Sequence, residues 1–160
     1  MKTRLLILGG ALLVFGLVNG RIASRERLRN GGDPVYLELA PVDPRSLMQG
    51  DYMALNFQVA RQIAAQPIPI GSTASAAILQ LDQRRIARFL RFDMGQPLNP
   101  GEVRFQYRYR GANVWLGTNA FFFEEGSAEP YRTARYGEFR INSAGDAILV
   151  NLRGPDLQPL

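Results

Sequence analysis

The sequence has no cysteine, no histidine and only one lysine, at position 2. The first absence excludes disulfides, thiolate metal sites and cysteine nucleophiles, and the second excludes imidazole ligands and every histidine-based triad or relay. Because Lys2 precedes the apolar segment described below, a lysine base or Schiff base in the folded part is excluded too. Serines and threonines are plentiful, yet none has a base to activate it. No glycine-rich phosphate loop, internal repeat or low-complexity tract occurs. These residue types call for no cofactor and no metal.

Arginine makes up almost all of the positive charge, 18 of 19 cations. The net charge of +5 sits in one place: up to Asn30 six cations face Glu26 alone, whereas residues 31–160 carry 13 Arg against 13 acidic residues. A neutral body is a poor nucleic-acid binder, since affinity for phosphate backbones comes from concentrated positive charge. With 160 residues, 46% of them hydrophobic, the chain suffices for one modest domain.

Residues 5–18 read LLILGGALLVFGLV, 14 apolar or glycine residues in succession. As a helix they cover roughly 21 Å, short of the ~30 Å hydrocarbon core, and extension over residues 3–23 closes the gap if Arg4 and Arg21 snorkel. A retained transmembrane anchor and a signal peptide cleaved after Gly20 both fit that length, and the poor cleavage site favours the anchor. Arginine counts on the two flanks place the body in the cytoplasm, while the basic, apolar, polar order of the segment is that of an export signal. The second argument carries the expectation of an inner-membrane, single-pass protein with an extracytoplasmic body.

The expected organisation is an anchor at 1–23, a juxtamembrane linker at 24–34 that is helix-compatible and stops at Asn30-Gly31-Gly32-Asp33-Pro34, a β-rich domain at 35–153 and a frayed tail at 154–160. Within the domain Val35, Leu37 and Leu39 alternate with polar positions, and Met53, Leu55, Phe57 and Val59 share one face of a strand running through 52–59. Residues 73–81 and 86–92 form a hairpin across Asp82-Gln83-Arg84-Arg85. Residues 103–110, VRFQYRYR, have a period of two and read as one half-buried antiparallel strand. Residues 111–113 turn that strand into 114–116, 120–123 is a further apolar run, 127–135 a short helix, and 137–141 pairs with 147–152. The fold class is therefore mainly β (α+β): an antiparallel barrel- or sandwich-like domain of seven to eight short strands with one or two short helices, after one transmembrane helix.

Two surfaces stand out as candidate sites. In the loop and strand at 41–57, Asp43, Arg45, Gly50, Asp51 and Tyr52 fall between two prolines and a strand start. The plain reading is a rigid, self-satisfied corner; the functional one is a docking loop that presents Asp43, Arg45 and Tyr52. On the second, Arg104, Arg108 and Arg110 alternate along one strand face, which is either solvated or a binder of anionic lipid or glycan, extended by Arg84, Arg85, Arg88 and Arg91. A carboxylate pair drawn from Glu38, Asp43, Asp51, Glu125 and Glu138 would serve a glycosidase only if two converged. Adjacent Glu124 and Glu125 point to opposite strand faces and do not form one site.

Gly50-Asp51-Tyr52-Met53-Ala54-Leu55-Asn56-Phe57 resembles the motif that names the GDYXXLXY family of bacterial membrane-anchored proteins, with a PVDPR lead-in at 41–45. NAFFFEEG at 119–126, ARYGEFR at 134–140 and LVNG at 17–20 resemble further family segments. Phe57 stands where the motif has Tyr, which removes a phenolic hydroxyl and keeps a core-packing ring. The resemblance implies no chemistry. It implies one membrane segment and genes beside those of multi-pass membrane proteins. The expectation that follows is a non-catalytic accessory or interaction domain partnered by a multi-pass integral membrane protein. The alternatives are an envelope module that binds anionic glycan or lipid through the arginine face, and a carboxylate-based envelope hydrolase.

Overall fold

The computed structural model describes residues 2–40, 48–49, 52–67, 75–111 and 113–160, with the side chains of 2–6, 8, 48 and 49 left aside. Helix α1 (Lys2–Gly31) holds 30 residues, about 45 Å, and takes in both the apolar segment and the whole arginine-rich stretch expected as a linker. Its apolar residues Ile7, Leu12, Leu13, Val14, Phe15, Leu17, Val18 and Ile22 are all more than half exposed. Among the described residues no helix is long and apolar enough to cross a membrane.

The helix ends against the body without a free joint. Leu28 is buried, the Gly32 amide donates to the Leu28 carbonyl at 2.9 Å, and the Arg140 guanidinium donates to the Gly32 carbonyl at 3.3 Å. A Cβ on Gly32 would lie 2.6 Å from the Leu28 oxygen and 3.0 Å from both the Arg140 Cβ and the Ile141 nitrogen. Only glycine lets the chain turn out of the helix this close to its neighbour.

The described residues then form β1 (Asp33–Glu38), β2 (Met48–Gln49), β3 (Tyr52–Ala54), helix α2 (Gln58–Ala64), β4 (Ala76–Leu81), β5 (Ile86–Phe92), β6 (Glu102–Gln106), β7 (Arg108–Arg110), β8 (Asn113–Trp115) and β9 (Ala120–Phe122). A 3₁₀ turn (Glu129–Thr133), β10 (Tyr136–Ile141) and β11 (Ala147–Arg153) complete the chain. The main sheet has the order β11-β10-β1-β5-β4-β6; β2-β3-β9 and β7-β8 form two small sheets. Two features differ from an antiparallel barrel of seven or eight strands. β1 runs parallel to β5, through Tyr36 with Ile86 and Leu37 with Ala87, and the main sheet is open. It curls without closing: Gln106 on β6 donates through its backbone amide to Gly145 at 2.9 Å and through its side chain to Ala144 at 3.1 Å, both in the β10–β11 turn.

Other departures have local causes. Met53, Leu55, Phe57 and Val59 are all buried as the alternation requires, yet only the first lies in a strand. From Gln58 the chain turns helical, because Val59, Ala60 and Ile63 lie on one helical face and bury it against the sheet. The expected single strand at 103–110 breaks at Tyr107, whose amide donates to the Ser75 carbonyl at 2.7 Å. Residues 154–160 are not frayed: Gly154 donates to the Gln158 carbonyl at 3.0 Å, Arg153 bridges Pro159, and Leu160 packs against the core. The hairpin at 82–85 forms as expected, its turn held by Asp82 Oδ1, which accepts from the amides of Arg84 at 2.9 Å and Ile86 at 2.8 Å.

The core lies between the concave face of the curled sheet and α2. Phe57, Phe139 and Phe105 meet edge to face at 5.3 and 5.5 Å, a preferred geometry for buried rings. Gly137 makes the space for Phe57, since a Cβ there would lie 2.8 Å from the Phe57 ring.

Gly32→Ala is expected to cost about 1–3 kcal/mol, because backbone must shift to admit the methyl group. Gly31→Ala, which meets nothing within 4 Å, is expected to be neutral or stabilising. Denaturant melts of both variants in detergent check this.

Candidate functional site

The second half of the motif stretch enters the body and forms one wall of a cleft. Ala54 pairs with Ala120 at the end of β3, and the amide of Leu55 donates to the Asn119 carbonyl at 2.7 Å. The Asn56 carbonyl accepts from the Ala40 amide at 2.7 Å, and Phe57 bridges Leu39 and begins α2 from an extended conformation. These bonds hold 54–57 against α2 on one side and the segment at 113–119 on the other. Between them lies a cleft of about 410 Å³.

Its apolar wall is Leu55, Phe57, Ala60, Ala64, Val114 and Leu116, and its polar wall is Asn56, Asn113, Thr118, Asn119, Trp115 and Arg61. No Asp or Glu is among the described residues that line it. At the rim the Arg110 guanidinium sits 4.1 Å from the centre of the Trp115 ring, a cation–π contact. Thr118 is engaged locally, its hydroxyl donating to Ala120 at 2.9 Å and accepting from that residue's amide at 3.2 Å. Volume and mixed lining are those of a small-ligand site.

The candidate residues are divided by the fold. Asp43, Arg45, Gly50 and Asp51 lie outside the described residues. Tyr52 is half-buried on β3 with its ring 5.7 Å from that of Phe122. Arg104, Arg108 and Arg110 do not share one strand: Arg104 is on β6 and ion-pairs with Asp93, whereas Arg108 and Arg110 are exposed on β7. Arg85 and Arg91 are also paired, with Asp33 at 3.7 Å and Glu102 at 2.8 Å. Tyr107, at the break between β6 and β7, is pushed up to about 12 by burial and by Tyr109 beside it, and stays a neutral phenol.

The described carboxylates of the candidate set, Glu38, Glu125 and Glu138, are likewise dispersed. Glu138 is 3% exposed and accepts from Arg140 at 3.1 Å and from Arg153 at 2.7 Å. Glu38 holds Arg135 at 2.7 Å, and Glu125 is exposed. At Asp93 burial works against the charge, but hydrogen bonds from Arg104 and the Gly95 amide and the field of Arg91 hold the carboxyl below its usual range. Glu102 is lowered by the Asn99 side chain and amide, then by Arg91.

Residues 14–152 match the family model described as GDYXXLXY protein. The chain belongs to that family. The match runs from within α1 into β11, so the helix junction, all three sheets and the cleft fall inside the GDYXXLXY region. No curated protein and no solved structure matches the chain. Within the GDYXXLXY motif, Tyr52 leads a short strand, Leu55 and Phe57 are core, and 54–57 form a wall of the cleft. Sequence reasoning missed the cleft because its halves are some 50 residues apart. The one available signal was Trp115, the only tryptophan, set among asparagines.

Phe57→Ala is expected to cost about 3–5 kcal/mol through the cavity it leaves over Gly137, while Phe122→Ala, at a ring that is 73% exposed, is expected to stay within about 0.5 kcal/mol. Denaturant melts distinguish the two.

Asp93 and Glu102 titrate lower in the folded chain than in the unfolded one, so the unfolded chain binds protons first as the pH falls. Their contribution is complete above the ordinary carboxylate range, about pH 4–5, and is lost as the pH drops through the folded values. Asp93→Asn is expected to lower stability by about 1 kcal/mol at pH 7 and to narrow the difference between pH 7 and pH 3. Melts at the two pH values check it.

Proposed function

We propose that this GDYXXLXY protein is a single-pass protein of the inner membrane whose extracytoplasmic body is an accessory or interaction domain for a multi-pass membrane protein. One observation carries the reading: the exposed apolar stretch and the buried Leu28 junction belong to the same uninterrupted helix. Among the described residues the side chains at 7 and 9–18 are apolar or glycine and exposed on every side, an arrangement that an apolar surrounding satisfies, and a helix over residues 3–23 has the length of a bilayer core if Arg4 and Arg21 snorkel. Asn19, the polar residue inside that span, donates to the Phe15 carbonyl one turn back at 2.8 Å, which lowers the cost of burying its amide in lipid. Lys2, Arg4 and Arg21 then lie at the two interfaces.

The body fits a role in assembly. Its charges are largely neutralised by one another, through Glu138 with Arg140 and Arg153, Asp93 with Arg104, and Glu102 with Arg91. A body held at a fixed angle to its anchor presents the same face to a neighbour in the membrane. The alternative, capture of anionic lipid or glycan by an arginine face, keeps only Arg108 and Arg110 on one strand.

Tagged at the C-terminus and extracted in mild detergent, the protein is expected in the membrane fraction at full-length mass, with a stoichiometric multi-pass partner. Protease added to spheroplasts is expected to digest the body. Recovery from the soluble fraction, or no such partner in several detergents, overturns the proposal.

A further inference from the structure

We propose that the cleft between the motif segment 54–57, α2 and β8 binds a neutral N-acetylated amino sugar of one or two units. This goes beyond the anchoring role and does not depend on it, since every group involved lies in the body. Three observations select the ligand class.

First, the polar groups offered to a ligand are uncharged. Asn56, Asn113 and Asn119 are exposed on the lining, and among the described residues no side-chain hydrogen bond engages any of them. Arg61, the one ionisable residue of the described lining, already has a partner within the protein. Each Asn amide offers an acceptor oxygen and two donor hydrogens, which matches neighbouring sugar hydroxyls that donate and accept in turn. An acetamido group adds one N–H and one C=O that point in opposite directions, and amides carried on two separate segments, Asn56 on one and Asn113 and Asn119 on the other, can take one each. Second, Trp115 lines the same wall and is braced by Arg110 at 4.1 Å. A held aromatic ring suits the C–H face of a pyranose, which is apolar where its hydroxyls are not. Third, the cleft has an apolar wall besides the tryptophan, which includes Leu55, Ala60, Ala64 and Val114. A plain hexose is ringed by hydroxyls and sets nothing apolar against such a wall, whereas an acetyl group brings a methyl that gains by leaving water there. The volume of about 410 Å³ admits one or two pyranose rings.

Because the chain has one tryptophan, its emission reports on this cleft directly. The full-length protein, in a detergent without a sugar headgroup, is titrated with N,N′-diacetylchitobiose, with cellobiose, which has the same linkage and hydroxyls in place of the acetamido groups, and with adenosine, a planar ring system that also stacks on tryptophan. Binding is followed by Trp115 emission and by titration calorimetry. A saturable response is expected with diacetylchitobiose, at least fivefold weaker with cellobiose and absent with adenosine at equal concentration. Asn113→Ala, which removes an amide, and Ala64→Phe, which fills the apolar wall from an exposed helix position, are each expected to weaken binding at least fivefold while the melting transition stays in place. Arg132→Gln, outside the cleft, is expected to bind as the unaltered protein does. No saturable response to diacetylchitobiose by either method overturns the proposal. So does an equal response to cellobiose or to adenosine, or unchanged affinity in both cleft variants. Membrane fractionation of the same variants separates the two readings: loss of sugar binding with retained membrane and partner association leaves the accessory role standing.

Discussion

The seating of Phe57 over Gly137 is the contact on which most of this fold depends. A ring fills the space that a missing side chain leaves on β10, and at Phe57 the chain changes from extended backbone to helix. Through Phe139 the same ring reaches Phe105 on β6, so three elements distant in sequence share one aromatic row. The curl of the main sheet goes with it, since Phe105 on β6 and Phe139 on β10 come within 5.5 Å although β1, β5 and β4 lie between their strands. The cleft also follows, because its inner wall is the backbone that this ring holds down. The motif is thus first a packing device. Its last position asks for an aromatic ring, and phenylalanine supplies one.

The other face of the sheet shows how a neutral charge total becomes structure. Glu102, Arg104, Arg91 and Asp93 cover Ile78, which is fully buried although it faces away from the main core. Long arginine stems shield apolar surface while their heads find carboxylates, an economical way to finish an uncovered sheet face. Glu138, held by Arg140 and Arg153, extends the pattern to the strands nearest α1. What reads in the sequence as alternating positive charge is, in the fold, mostly one half of a set of pairs.

The strands around local turns were legible because their causes are local. Val35, Leu37 and Leu39 alternate and are buried, Asp82 caps its own hairpin, and 137–141 meets 147–152 across a short turn. The family, too, was legible from residues 50–57. What escaped was set at a distance. The alternation of 52–59 is compatible with both a strand and the strand-to-helix change by which Val59, Ala60 and Ile63 are buried on one helical face. The break at Tyr107 depends on Ser75, more than 30 residues earlier, and VRFQYRYR carries no sign of it. The pairing of Arg104 depends on Asp93 across a turn. The candidate site moved for the same reason, since the walls of the cleft come from two segments that meet only after the sheet has curled.

The junction at Gly32 has a mechanical meaning. A helix that runs unbroken into a docked end acts as a shaft rather than a tether, with no swivel between its apolar part and the sheet. Each residue of an α-helix advances the chain by about 1.5 Å and turns it by about 100°. One residue added or removed between Ile22 and Leu28 would therefore re-aim the whole body about the helix axis while hardly changing its height. The length of this segment sets a compass bearing, and any neighbour gripping the helix would feel a twist of the body as torque.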